Sequence, residues 1–138
     1  MFRDETREAL ARQARADFVA HLSHELKSPL AAMRLAIDKA HQHGLGAVSV
    51  RNGTHFGIAG YYPLMAVKEG MAGFTVTNAR PSITPTFGTE PMLGTNPIAF
   101  ACPSDMPYPF CLDMATSICQ RGKIEVAERA EKPVPEGW

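Results

Sequence analysis

The sequence predicts an α/β protein of the α+β kind, a helix or helical hairpin followed by a partial sheet of mixed or antiparallel strands. Three observations predict it. Leu10, Ala14, Phe18, Leu22 and Leu26 recur every four residues and line one helical face. Short runs rich in β-branched and aromatic residues recur after Gly44. Between them lies sequence crowded with glycine and proline, where regular structure is interrupted.

The first helix is expected over residues 4–28, with a kink or break at Pro29, whose ring and missing N–H oppose the helical ladder. A second helix is expected from about Leu30 to His43, with Met33, Leu35, Ile37 and Ala40 apolar and Gly44 as its stop. Leu45–Val50 reads as a strand and Arg51–Gly57 as a loop. Ile58–Glu69 reads as a helix that starts late or bends because of Pro63, and Gly70 ends it. Ala72–Thr77 is a strand. Pro81, Pro85, Pro91, Gly88 and Gly94 make the stretch from Asn78 to Asn96 a long ordered loop. Pro97–Ala101 and Phe110–Asp113 are further strands, and Thr116–Glu131 a last helix before Pro133 and Pro135.

Composition limits the function. Fourteen basic and fourteen acidic residues cancel in 138. No global field therefore draws the chain to nucleic acid or to an anionic membrane. No run approaches the ~18 apolar residues of a membrane span, and no secretory signal opens the chain. Cys102, Cys111 and Cys119 have no zinc or redox spacing, so they read as buried free thiols of a cytoplasmic protein, and no metal site is expected. Charge is dense from Arg3 to Arg34 and sparse from Gly53 to Pro109, which places a seam near Ala32.

On the first side of the seam, His24 lies two residues from Leu22 and from Leu26, off the apolar stripe. An imidazole there is often an ordinary surface group, but it can also attack a phosphoryl group, with Glu25 as a neighbouring acid or base. The string His21-Leu22-Ser23-His24-Glu25-Leu26-Lys27-Ser28-Pro29-Leu30 resembles the phosphoacceptor box of sensor histidine kinases. That resemblance implies His24 as phosphoacceptor with Glu25 beside it, and residues 1–34 as a separate helical segment. It also implies an ATP-binding domain, for which nothing in the chain qualifies.

On the other side, Thr54-His55-Phe56-Gly57 puts an imidazole in a loop opening onto a helix, where a proton-transfer group can be displayed. Taken alone, such a histidine is more often structural. Arg51 to Tyr62, Thr77-Asn78-Ala79-Arg80-Pro81, Leu93-Gly94-Thr95-Asn96-Pro97, Leu112-Asp113-Met114-Ala115-Thr116-Ser117 and Pro135-Glu136-Gly137-Trp138 follow one another. Together they resemble the malate/L-lactate dehydrogenase family of NAD(P)-dependent oxidoreductases, over about residues 35–138. The resemblance implies a partial dinucleotide-binding domain and hydride transfer between NAD or NADP and a 2-hydroxy or 2-oxo acid. It implies His55 as the acid/base, Arg80 at the substrate carboxylate, and Asn78, Ala79, Thr95, Asn96, Asp113, Met114 and Ala115 at the cofactor. From the residues alone, Asp113 equally reads as the N-cap of the last helix, and Lys123 and Glu125 as a solvated helix face. A homodimer or other oligomer is implied. The family's Ser-His-Gly segment and its later strands have no counterpart here. The composite is therefore expected to be inactive by itself, whether as an oxidoreductase fragment or as a non-functional fusion.

Overall fold

A computed structural model describes residues 2–138, with the side chains of residues 10, 12–17 and 26–138. The chain forms two compact units, residues 1–58 and 59–138.

In the first unit one helix, α1 (Phe2–His43), runs through Pro29. The expected break is absent. A proline removes one ladder hydrogen bond, and good helix formers such as Ala31, Ala32, Met33 and Leu35 continue the helix beyond it. Of the apolar stripe, Leu10 is exposed and Leu26 half-buried, while Phe18 and Leu22 lie outside the described side chains. The helix closes with the Gly44 N–H donating to the Ala40 carbonyl. Leu45–Val50 is not a strand. A β-branched run becomes a strand only where a neighbour pairs its backbone, and Leu45, Val48 and Val50 stay exposed.

In the second unit a short helix packs on a small sheet. Helix α2 (Tyr61–Lys68) does start late, with Pro63 in its first turn, where no ladder N–H is needed. Its end is closed by the Gly70 N–H on the Val67 carbonyl and the Met71 N–H on the Ala66 carbonyl. Strands β1 (Gly73–Val76), β2 (Ile98–Cys102) and β3 (Phe110–Met114) form an antiparallel sheet in the order β1-β2-β3. Its register pairs Gly73 with Ala101 and Thr75 with Ala99, and Ala101 with Cys111 and Ala99 with Asp113. These residues share one face, and α2 covers its β1 and β2 part, leaving Cys111 and Asp113 of β3 exposed. Ala99 and Ala101 are completely buried, Tyr62 and Ala66 nearly so, and Pro63 is the bulkiest side chain fully enclosed. The small residues at the centre let the helix lie close to the sheet.

Burial, and to a lesser extent the neighbouring Tyr61, raises the Tyr62 phenol above its ordinary value of 10.0. The neutral phenol is thus favoured in the folded state. Its contribution to stability is complete below the unfolded value and is lost as pH rises through the raised one. Tyr62→Phe is expected to flatten the fall in denaturation midpoint across that alkaline range, as a urea titration at several pH values would show.

The last helix, α3 (Arg121–Arg129), is shorter than expected at both ends. Thr116 cannot open it, because its N–H and hydroxyl are engaged with the loop before β2. The α3 surface is more structured than a merely solvated face. Arg121 Nε donates to Glu125 at 2.8 Å, and the Lys123 ammonium lies 5.5 Å from the centre of the Trp138 ring.

Candidate functional site

Three strand ends meet at one edge of the sheet. The register row Val76–Ile98–Met114 sits at the end of β1, the start of β2 and the end of β3. Antiparallel order therefore brings together the residues after β1, those before β2 and those after β3. Hydrogen bonds tie the three segments. The Ala79 N–H donates to Asn96 Oδ1 at 2.8 Å. The Thr116 N–H donates to the Thr95 carbonyl at 2.9 Å, and its hydroxyl reaches the Thr95 and Asn96 carbonyls at 3.1 and 3.2 Å. Gly94 is buried so close to the Ala79 carbonyl that a Cβ would overlap it. Asn96 holds a left-handed φ of 34°, which asparagine tolerates better than most residues.

Of the residues singled out from sequence, Asn78, Ala79, Thr95, Asn96, Met114 and Ala115 thus lie on these connected segments. Arg80 is next to Ala79 and exposed. Thr116 and Gly94 hold the segments together, although sequence reasoning assigned neither to the site. The signal was a hydroxyl two residues after a strand and a glycine two residues before a loop asparagine.

Asp113 is placed differently from one of its expected roles. It lies within β3, so it cannot be the N-cap of α3. Its carboxylate accepts the Gly60 N–H at 2.6 Å, and Gly60 is the N-cap of α2. A side chain at Gly60 would meet this carboxylate, its Cβ only 2.9 Å from Oδ2. Capping chemistry is therefore present, on α2 instead of α3, and it pins the start of α2 to β3. Asp113→Ala should lower stability by about 1.5–3 kcal/mol, the range for a hydrogen bond to a charged group, and Asp113→Asn by less, as chemical denaturation would measure.

His55 belongs to the first unit. It is exposed, and the Gly57 N–H donates to its Nδ1 at 3.1 Å. That bond requires Nδ1 bare, so the neutral ring carries its proton on Nε2. The side chains of His24 and Glu25 lie outside the described residues. Cys102, Cys111 and Cys119 are free thiols, with Cys111 exposed and the other two half-buried, so burial does not hold for all three. Among the described residues no three His, Cys, Asp or Glu side chains gather as metal ligands would. No helix among them is long and apolar enough to cross a membrane.

The strand-end cluster fits a dinucleotide or an organic acid in kind. It offers backbone and amide groups, an exposed cation at Arg80, and beside them the exposed apolar surface of Val76 and Met114. Comparison with known proteins gives this fit a context. The malate/L-lactate dehydrogenase family profile matches residues 28–138. Over 107 residues the chain is 57% identical to a malate dehydrogenase of Pyrococcus abyssi, which covers 78% of this chain and 29% of that protein. It is 51% identical over 106 residues to an L-sulfolactate dehydrogenase of Methanocaldococcus jannaschii, covering 77% of this chain and 30% of the relative. The crystal structure of malate dehydrogenase from Entamoeba histolytica superposes with a TM-score of 0.73 at 51% identity, over 80% of this chain and 31% of that one. The chain thus spans under a third of the length of these relatives. The match also begins before Pro29, earlier than the stretch from Leu35 that the motifs indicated. A family match over most of the chain, joined to shared structure, means that this chain belongs to the malate/L-lactate dehydrogenase family.

Proposed function

We propose that residues 59–138 carry part of the site of an NAD(P)-linked oxidoreductase acting on a 2-hydroxy acid such as malate or lactate. The observation that carries this reading is the bonded convergence of Asn78–Ala79, Thr95–Asn96 and Thr116 at one edge of the sheet, in a chain of this family. One relative, from Chromohalobacter salexigens, is by name an NADP(+)-dependent sulfolactate dehydrogenase, and either NAD or NADP suits the chemistry here.

When bound, the nicotinamide cofactor supplies or accepts the hydride. The chain's own residues bind and orient. Asn78, Ala79, Thr95, Asn96, Met114 and Ala115 present backbone and amide groups from a fixed frame, which lowers the ordering cost of binding. Asp113 supports that frame through Gly60. Arg80 offers a planar fork that suits a substrate carboxylate. His55 is the proton-transfer group. To take a hydroxyl proton at Nε2, its ring must carry its own proton on Nδ1 and so give up the Gly57 hydrogen bond. Completion of the site therefore includes a local rearrangement at Thr54–Gly57.

By itself the chain is expected to give no turnover of malate or lactate with NAD or NADP, followed by nicotinamide absorbance. It should still bind the reduced cofactor, seen as a change in nicotinamide fluorescence. Turnover by the chain alone, abolished in His55→Ala, would show the site to be complete. Failure of NADH and NADPH alike to bind would remove the reading.

A second reading concerns the segment before the family match. On this reading residues 1–34 are a unit of separate descent with His24 as acceptor and residues 35–138 are the dehydrogenase-like part, although the family match already includes residues 28–34. Only the string supports it. Incubation with a histidine kinase ATP-binding domain and labelled ATP should then give acid-labile label that His24→Gln loses; absence of label removes it.

A further inference from the structure

The connection between β1 and β2 is an ordered arm. Hydrogen bonds cross it at successive levels. The Thr77 N–H donates to the Pro97 carbonyl at 3.4 Å, the Ala79 N–H to Asn96 Oδ1 at 2.8 Å, and Ile83 and Leu93 pair as an antiparallel bridge. Beyond the bridge the chain turns tightly, with the Gly88 N–H on the Pro85 carbonyl at 2.8 Å. The arm thus continues the β1–β2 pairing past the strand ends. Its base is the Asn78–Ala79 and Thr95–Asn96 frame of the candidate site.

Phe87 stands at the tip, midway between Thr77 and Pro97. Its φ of 63° is left-handed, at the third position of the turn, where glycine is the ordinary occupant. Gly88 comes one place too late to relieve it. The Phe87 side chain is 104% exposed, so no neighbour in the chain covers it. A bulky residue at positive φ is strained, and here its ring adds no packing in return. Strain of this kind persists where function uses it.

The surroundings select the ligand. From Pro81 to Cys102 the only charged residue is Glu90, so the tip offers no cation to a phosphate or an anionic lipid. One ring is also far short of the ~1,000 Å² that a protein interface buries. A neutral planar ring suits the tip, stacked on Phe87, with the exposed hydroxyls of Thr86 and Thr89 nearby in the chain for ring nitrogens. From Ala79 to Phe87 the chain can reach at most about 28 Å, so a single elongated ligand can meet both the base and the tip. We infer that Phe87 is the stacking platform for the adenine ring of a dinucleotide whose nicotinamide half lies at the base of the arm. The inference rests on the proposed oxidoreductase site and adds a ligand-binding residue to it.

The test titrates NADH, NADPH and ADP-ribose, which keeps the adenine half alone, into the full chain and its variants. Nicotinamide fluorescence reports the dinucleotides and backbone amide shifts report ADP-ribose. Phe87→Ala should weaken dinucleotide binding about tenfold, within the range for loss of one aromatic stacking partner. Phe87→Trp should keep the affinity. Phe87→Gly separates ring from backbone. It relieves the left-handed φ, so the thermal midpoint should hold or rise while affinity falls as in Phe87→Ala. ADP-ribose should shift the amides of Thr86–Thr89, and this should be lost in Phe87→Ala. The inference is overturned if Phe87→Ala binds the dinucleotides as tightly as wild type, or if ADP-ribose leaves the tip silent. It is also overturned if the ring instead pairs two copies of the chain, seen as a doubled mass in light scattering that Phe87→Ala abolishes. Undiminished binding in Phe87→Ala with loss in Asn96→Ala removes this inference alone. Failure of all three ligands to bind the wild-type chain removes the site reading with it.

Discussion

Gly73→Val is expected to unfold the helix–sheet unit at ambient temperature. An ideal Cβ at Gly73 would lie 2.5 Å from the Pro63 Cα and 2.7 Å from its carbonyl oxygen. Both are backbone atoms of a fully buried residue and cannot rotate away. Helix α2 must therefore lift off β1, which opens gaps beside Ala66, Ala99 and Ala101, the small residues that make the close approach possible. Overpacking typically costs about 1–3 kcal/mol, and here the backbone leaves little room to relax. A unit with so few buried residues has little stability to lose. Thermal denaturation should show no cooperative transition in the variant. A midpoint within ~2 °C of wild type, equivalent to well under 1 kcal/mol, would mean that α2 is not seated on the sheet as described.

The second large effect is expected at Asn96. Asn96→Ala removes the acceptor for the Ala79 N–H and leaves that donor unpaired in a partly buried place, at a cost of about 1–3 kcal/mol. It also puts alanine at a left-handed φ directly before Pro97, where that conformation is disfavoured twice over. The ends of β1 and β2 should separate, the Ala79 amide should lose its protection from hydrogen exchange, and affinity for NADH should fall about tenfold or more. Asn96→Asp keeps an acceptor and should retain most of the protection. Asn96→Gly relieves the backbone without restoring the bond and should not. Equal protection in all four proteins would detach the site from this hydrogen bond.

The strands β1, β2 and β3 fell within a residue or two of their expected places, because short apolar runs of β-branched or aromatic residues between turn residues report strands directly. Leu45–Val50 has the same local signal and forms no strand. Whether a run pairs depends on a neighbour, which composition does not contain. Pro29 was expected to kink or break α1, and the helix is not broken there, since local preference is overridden by the helix on both sides. The segments proposed to bind the cofactor were picked out from motifs lying far apart in the chain. That they meet follows from antiparallel order and register, which no single segment encodes. Asp113 was identified as a residue of consequence, but its partner, Gly60, lies 53 positions away in sequence. His55 was recognised by its surroundings, whereas its tautomer depends on a backbone N–H two residues on.

On the proposed function, the strand-end edge of the β1–β2–β3 sheet is where this chain meets a nicotinamide dinucleotide. Backbone amide chemical shifts, followed while NADH and then NADPH are titrated into the uniformly labelled chain, test it most directly. Shifts are expected to concentrate at Asn78–Arg80, Thr95–Asn96 and Met114–Thr116 with at least one of the two, and to be lost in Asn96→Ala. Shifts confined to α3 or to the α2-facing side of the sheet, with the strand ends silent, would contradict it.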